Sequence, residues 1–131
     1  MTKRQTEEEC LVDAGRLRQL AGQVLGAAGF RVEDAELVAE VLVEADLRGV
    51  DSHGVTRLGG YLSMAEAGHV NLRPDVTVVR ESGATVLLDG DRGVGIIAAR
   101  QAIDRAMALA RESGIGCVSL RNVSHTGMIG W

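Results

Sequence analysis

An α/β fold that begins with helices and passes into a mixed sheet is predicted by three features of this sequence. Apolar residues recur three and four apart through the first half. After the single Pro74 the pattern changes to short runs rich in β-branched residues. Within 84–120 the order is apolar run, long helical stripe, apolar run, which implies two parallel strands joined by a right-handed crossover.

Each element has its own justification. Residues 1–10 are polar and offer little apolar surface to offset the entropy of ordering them, so disorder is expected there. A first helix starts near Val12, with Leu17, Leu20 and Val24 as its stripe and Gly29 as its stop. A second follows Arg31. Glu33 and Asp34 suit the positive end of its dipole, and Leu37, Val38, Val41, Leu42 and Ala45 carry it towards Gly49. Asp51 or Ser52 can cap a third, with Leu58, Tyr61, Leu62 and Ala65 in its stripe and Gly68 at its end. Strands are expected over 76–80 and 84–89 with Glu81-Ser82-Gly83 as the turn. A long helix over about 96–112 shows the stripe Ala99, Ala102, Ile103, Ala106, Met107 and Ala110. The run 115–120, with Cys117, reads as a buried strand leading into a loop that holds Ser124 and His125. The chain thus divides into a disordered start (1–10), a helical segment (11–72) and the first part of an α/β domain (73–131).

Composition excludes several functions. A net charge of −4, no basic run, and one residue each of Phe, Trp and Tyr speak against a nucleic-acid surface. The N-terminus has no apolar signal region and no later stretch has the length of a membrane span, so no membrane partner and a cytoplasmic location are expected. Cys10 and Cys117 have neither metal-ligand spacing nor a disulfide-scaffold pattern, and both are expected to be free thiols. Three scattered histidines without a His or Cys partner at ligand spacing predict no metal site.

Chemistry concentrates in residues 45–58, which read ADLRGVDSHGVTRL. His53 can give or take a proton near neutral pH, and the Arg57 fork can hold a carboxylate in two parallel hydrogen bonds. With the Ser52 hydroxyl they suit a 2-hydroxy or 2-oxo acid. If His53 lies at a helix N-terminus, the dipole favours a bound anion and a neutral imidazole, and Arg57 one turn on shares its face. The same residues also fit a capped helix start with a half-buried histidine. His125 follows a strand end, where functional side chains are common, and equally fits a solvated loop histidine. The glycines Gly90, Gly93 and Gly95 lack the Gly-x-Gly-x-x-Gly order and read as a tight strand-to-helix turn rather than a phosphate loop. His69 reads as a solvated residue at a helix end.

The run 45–58, followed by Tyr61 and Gly68, closely resembles the N-terminal signature of the malate/L-lactate dehydrogenase family of NAD(P)-dependent oxidoreductases. This family is distinct from the Rossmann-fold lactate and malate dehydrogenases, and includes ureidoglycolate, sulfolactate and diketogulonate dehydrogenases. The likeness extends from about Leu17 onward, through 84–95 and 102–116, to Asn122-Val123-Ser124-His125-Thr126-Gly127. It departs at Thr126, where the family usually carries an aromatic residue. The resemblance implies a sulfolactate-dehydrogenase-like mixed-sheet fold, hydride transfer between NAD or NADP and a 2-hydroxy or 2-oxo acid, and a homodimer. It implies substrate contacts from Ser52, His53 and Arg57, a proton carrier at His125 or His53, and cofactor contact from Ser124 and His125. Because family members are more than twice as long, a truncated chain is expected. The alternative is an inactive chain that at most binds small acids or self-associates; a ligand-sensing module is a third reading on the same motif.

Overall fold

The computed structural model describes residues 11–131. The expectations for 1–10, Cys10 included, lie outside the described residues. Helix α1 (Ala14–Ala28) begins where the Asp13 carboxylate accepts a hydrogen bond from the Arg16 amide at 2.9 Å. It ends at Gly29, whose φ of 111° only glycine adopts freely. Of the expected Leu17, Leu20, Val24 stripe, Leu17 and Val24 are half-buried and Leu20 is 57% exposed, and the fully buried residues are Ala21 and Leu25. The reason is close packing on helix α2 (Val32–Leu47), with Gly22 facing Ala39, which turns the small-residue side of α1 inward. Helix α2 follows the expected pattern and buries Val38, Val41, Leu42 and Ala45. Truncating the fully buried Leu25 or Leu42 to alanine would cost about 2–5 kcal/mol.

The third helix starts later than expected. Residues Asp51–His53 and Val55–Arg57 form two separate 3-10 turns, and helix α3 covers Leu58–Glu66. Neither Asp51 nor Ser52 caps it; Arg57 occupies the cap position without a side-chain bond. Extended backbone at Gly54 (φ −84°, ψ −157°) interrupts the helical path. There the Asp46 carboxylate, reaching across from α2, accepts a hydrogen bond from the Val55 amide at 2.9 Å.

Strands β1 (Thr77–Ser82) and β2 (Thr85–Asp89) form the expected hairpin, with Ser82 opposite Thr85. The turn is therefore Gly83-Ala84, slightly beyond the expected triplet, with φ of 56° at Gly83. Helix α4 (Gly95–Ser113) leads to strand β3 (Cys117–Arg121), which pairs parallel with β2. The sheet order is β1-β2-β3, a mixed sheet as the strand-helix-strand pattern implied.

Two expectations fail here. Helix α4 does not bury the whole predicted stripe: Ile103 and Met107 are 55% and 44% exposed, and the buried residues are Ile96, Ile97, Ala98, Ala102 and Leu109. Its first turn enters the helical core with α2, whereas its later turns rest through Ala102 and Leu109 on Val86 and Leu88 of β2. Strand β3 is an edge strand covered on one face. Val118 and Leu120 pack towards α4, and Cys117, expected to be buried, is exposed with Ser119 and Arg121. Among the described residues no helix is long and apolar enough to cross a membrane.

Candidate active site

The site forms where the loop after β3 is drawn back onto the N-terminal helices. Its position is set by the turn before α4. Gly90 N donates to Arg121 O at 3.0 Å, Arg92 N to Asn122 O at 2.8 Å, Ser124 N to Gly93 O at 3.0 Å and Gly95 N to His125 O at 3.0 Å. The two segments thus run together as a backbone ladder. A Cβ at Gly90 would lie 2.2 Å from Val123, and one at Gly95 2.6 Å from Ser124 O. These glycines are needed for close approach of the loop carrying His125, a role beyond the tight turn that their spacing suggested.

The ladder places His125 over α3 and the first 3-10 turn. Its Nδ1 lies 2.9 Å from the Tyr61 hydroxyl, across 64 positions of sequence. Its ring stacks on that of His53, with centroids 5.3 Å apart and planes inclined by 29°. Ser52 Oγ lies 2.9 Å from His53 Nδ1, and Arg57 Nε donates to Ser52 O at 2.6 Å. Ser52, His53, Arg57 and His125 therefore converge, joined by Tyr61. Sequence reasoning treated Tyr61 as a core stripe residue. It is buried as that reading implies, but its hydroxyl end faces the site; the signals were that a tyrosine on a buried stripe must place its O–H somewhere and that Tyr61 follows the run that carries the family resemblance.

Electrostatics follow from this packing. Burial lowers the His125 pKa below its ordinary value, and the Arg57 guanidinium and His53 push it the same way. Burial pushes the Tyr61 hydroxyl up to about 12, against a smaller opposing pull from Arg57. The dipole argument for His53 loses its basis, because His53 closes a single 3-10 turn instead of opening a helix. Ser124 Oγ donates to Gly93 O at 3.0 Å, so its hydroxyl is engaged in holding the loop. His69 is exposed at the end of α3, as expected. Among the described residues no three His, Cys, Asp or Glu side chains group as metal ligands.

Two stacked imidazoles beside a guanidinium and a phenol, on an α/β scaffold, have the makings of a proton-transferring site for a small organic acid. The sequence and the fold both have known relatives. The malate/L-lactate dehydrogenase family model matches residues 12–131. The chain is 39% identical over 114 residues to the L-sulfolactate dehydrogenase of Methanocaldococcus jannaschii, covering 87% of this chain and 33% of that protein. It is 43% identical over 109 residues to a malate dehydrogenase of Pyrococcus abyssi, covering 83% of this chain and 30% of that one. The malate dehydrogenase structure from Pyrococcus horikoshii superposes with a TM-score of 0.92 at 40% identity, over 98% of this chain and 37% of that one. The chain belongs to the malate/L-lactate dehydrogenase family, and its curated relatives are dehydrogenases of hydroxy acids. It spans about a third of the length of these curated relatives.

Such dehydrogenases imply a nicotinamide cofactor. The turn before α4 does not fit the cofactor's phosphates: its amides at Gly90, Arg92 and Gly95 are bonded to the loop after β3, and the space beside its glycines is filled by Val123, Pro74, Ser124 and Thr126.

Proposed function

We propose that this chain carries the substrate-facing part of an NAD(P)-dependent 2-hydroxyacid dehydrogenase. The observation that carries the reading is the stack of His53 on His125 beside Arg57, with Tyr61 behind His125. Arg57 binds the substrate carboxylate through its terminal guanidinium nitrogens, since its Nε is held by Ser52 O. Ser52 and His53, coupled through Oγ and Nδ1, contact the C2 oxygen or the carboxylate. His125 is the better-supported group at the C2 oxygen, because burial and its neighbours keep the ring neutral and Tyr61 fixes it in the site. Hydride chemistry belongs to NAD or NADP. Ser124 and His125 are the residues proposed to lie beside it, Ser124 through its backbone unless its bond to Gly93 opens. The phosphate-binding elements are proposed to lie outside these residues. The homodimer and the cytoplasmic location belong to the same proposal and rest on the family likeness.

The test is loss of NADH or NADPH absorbance by the purified chain with a panel of 2-oxo acids, alongside His53→Ala and His125→Ala. Turnover abolished by His125→Ala supports the reading. A folded chain without turnover supports a second one, an inactive chain that self-associates. The observation favouring the latter is the exposed edge of β3, with Ile115 67% and Ile129 86% exposed. A concentration-independent monomer in sedimentation would count against it.

A further inference from the structure

The second hydrogen bond to His125 Nδ1 comes from the main chain. The Gly127 amide nitrogen lies 3.2 Å from that atom, with its N–H directed at the ring. An amide N–H has no lone pair to offer and can only donate, so Nδ1 must be the acceptor. The Tyr61 hydroxyl, 2.9 Å from the same atom, can play either part and is obliged to donate as well. The ring's one proton in the neutral state then sits on Nε2. No hydrogen bond reaches Nε2 from the described residues, and it is not among their buried unpartnered polar atoms, so it has surface open to solvent.

The fold builds this contact deliberately. Gly127 has a φ of 71°, and a Cβ there would lie 2.9 Å from Ile96 Cδ1, so glycine is favoured at the turn that aims its N–H back at His125. His125 O is simultaneously held by the Gly95 amide at the start of α4. The peptide unit is thereby fixed on both sides of the imidazole.

We infer that Gly127 is a positioning residue whose backbone N–H selects the Nε2–H tautomer of His125, so that the resting site presents a hydrogen-bond donor to the C2 oxygen of its ligand. The consequence for substrate rests on the proposed function; the tautomer does not. A donor at Nε2 matches the carbonyl oxygen of a 2-oxo acid, which can only accept. A C2 hydroxyl must surrender its proton to Nε2, which first requires the ring proton to move to Nδ1. There it would face the Gly127 N–H, donor against donor, with Tyr61 obliged to turn its oxygen lone pair inward. The resting geometry is therefore set for the 2-oxo acid.

The test is nitrogen NMR of the 131-residue chain labelled at histidine and glycine, near pH 8, where His125 with its lowered pKa is neutral, with His125→Gln to assign the resonances. The expected result is Nδ1 of His125 in the unprotonated range, Nε2 in the protonated range, and a through-hydrogen-bond coupling between Gly127 N and His125 Nδ1. Exposed His69 should show the averaged shifts of a mixed population. Tyr61→Phe should leave the His125 tautomer unchanged; a switch to Nδ1–H in that variant would transfer the control to Tyr61 and overturn the assignment to Gly127. A protonated Nδ1 in the unsubstituted chain would overturn it directly. Adding pyruvate or lactate separates the two layers: if the tautomer holds and neither acid moves the Nε2 resonance, the substrate role fails while the tautomer stands. A larger response to pyruvate than to lactate is the outcome expected of both together.

Discussion

Replacing Gly54 with alanine should be far more damaging than its chemistry suggests. A Cβ at this position would lie 1.6 Å from Asp46 Oδ1, 2.3 Å from its Cγ and 2.7 Å from Oδ2. The carboxylate must leave, and with it goes the bond from Val55 N that holds the second 3-10 turn between Ser52 and Arg57. A hydrogen bond to a charged group contributes about 1.5–3 kcal/mol. For a chain of this size that corresponds to a fall in Tm of roughly 5–10 °C. Gly26→Ala is the matched control: it lies in α1 with nothing within 4 Å of the added carbon, so alanine should stabilise by about 0.5–1 kcal/mol. Thermal and urea unfolding of both variants give the comparison. The site should respond as well, since releasing Val55 frees the segment that carries His53 and Arg57. Its readout is the His53 ring resonance, expected to shift in Gly54→Ala and to stay in Gly26→Ala. If Gly54→Ala melts within a degree of the parent, Asp46 is not holding the turn and the account of this loop is wrong.

Four further outcomes follow from the charges. Tyr61 is the chain's one tyrosine, so ultraviolet titration of phenolate reads it alone and should give a midpoint near 12; a midpoint at the ordinary value of 10.0 would mean that the ring is not packed as described. Because the folded value lies above the unfolded one, this group's contribution is intact below the unfolded value and is lost as pH rises through the folded one. His125 has the opposite sign for a base: its folded pKa lies below 6.5, so the unfolded chain binds more protons and stability falls as pH drops from 6.5 towards the folded value. His125→Gln should flatten that part of the Tm profile, and Arg57→Gln should raise the His125 midpoint in an NMR titration; an unmoved midpoint would separate Arg57 from the site. Asp34 is buried with Oδ2 lacking a hydrogen bond, and burial raises its pKa despite Arg31 at 3.6 Å. Asp34→Asn should therefore raise Tm at pH 7, and a fall would show that the Arg31 pair outweighs the cost of burying the charge.

Much of this arrangement was legible in the sequence wherever a local rule acts alone. Gly29 and Gly114 stop their helices in left-handed conformations, the hairpin appears around Gly83, and the strand-helix-strand order yields a parallel pair. The errors have a common cause in tertiary packing. Leu20, Ile103 and Met107 satisfy a helical period yet face outward, because the side on which a neighbour lies is not encoded in the period. Cys117 sits in an apolar run, but burial of a strand depends on what covers both faces, and β3 is an edge. The late start of α3 depends on a carboxylate from another helix, and no local capping rule includes Asp46. Among the site residues, Ser52, His53 and Arg57 stood out as chemistry-bearing types at an expected helix start, and His125 in a loop after a strand. Tyr61 did not, since its ring obeys the core pattern and only its oxygen departs from it.

The division of the chain into a helical segment and an α/β part does not divide its chemistry. One core cluster runs from Ala21 through Tyr61 and Val70 to Val94 and Ile97, so α4 enters the sheet region from a core it shares with α2. Gly127 closes this arrangement: a Cβ there would lie 2.9 Å from Ile96 of α4 and 3.5 Å from Val41 of α2. The residue that aims an amide at His125 is thus wedged between the two halves. Any shift of α4 relative to α2 would move the His125 loop against Tyr61 and His53. A separation of 2.9 Å between Tyr61 and His125 tolerates little of that before the hydrogen bond is lost. Larger or smaller residues at Ile96 or Val41 should therefore change the His125 tautomer and titration without touching any polar group of the site. Packing, in this protein, is the means by which two distant stretches of sequence are kept in one hydrogen-bonded geometry.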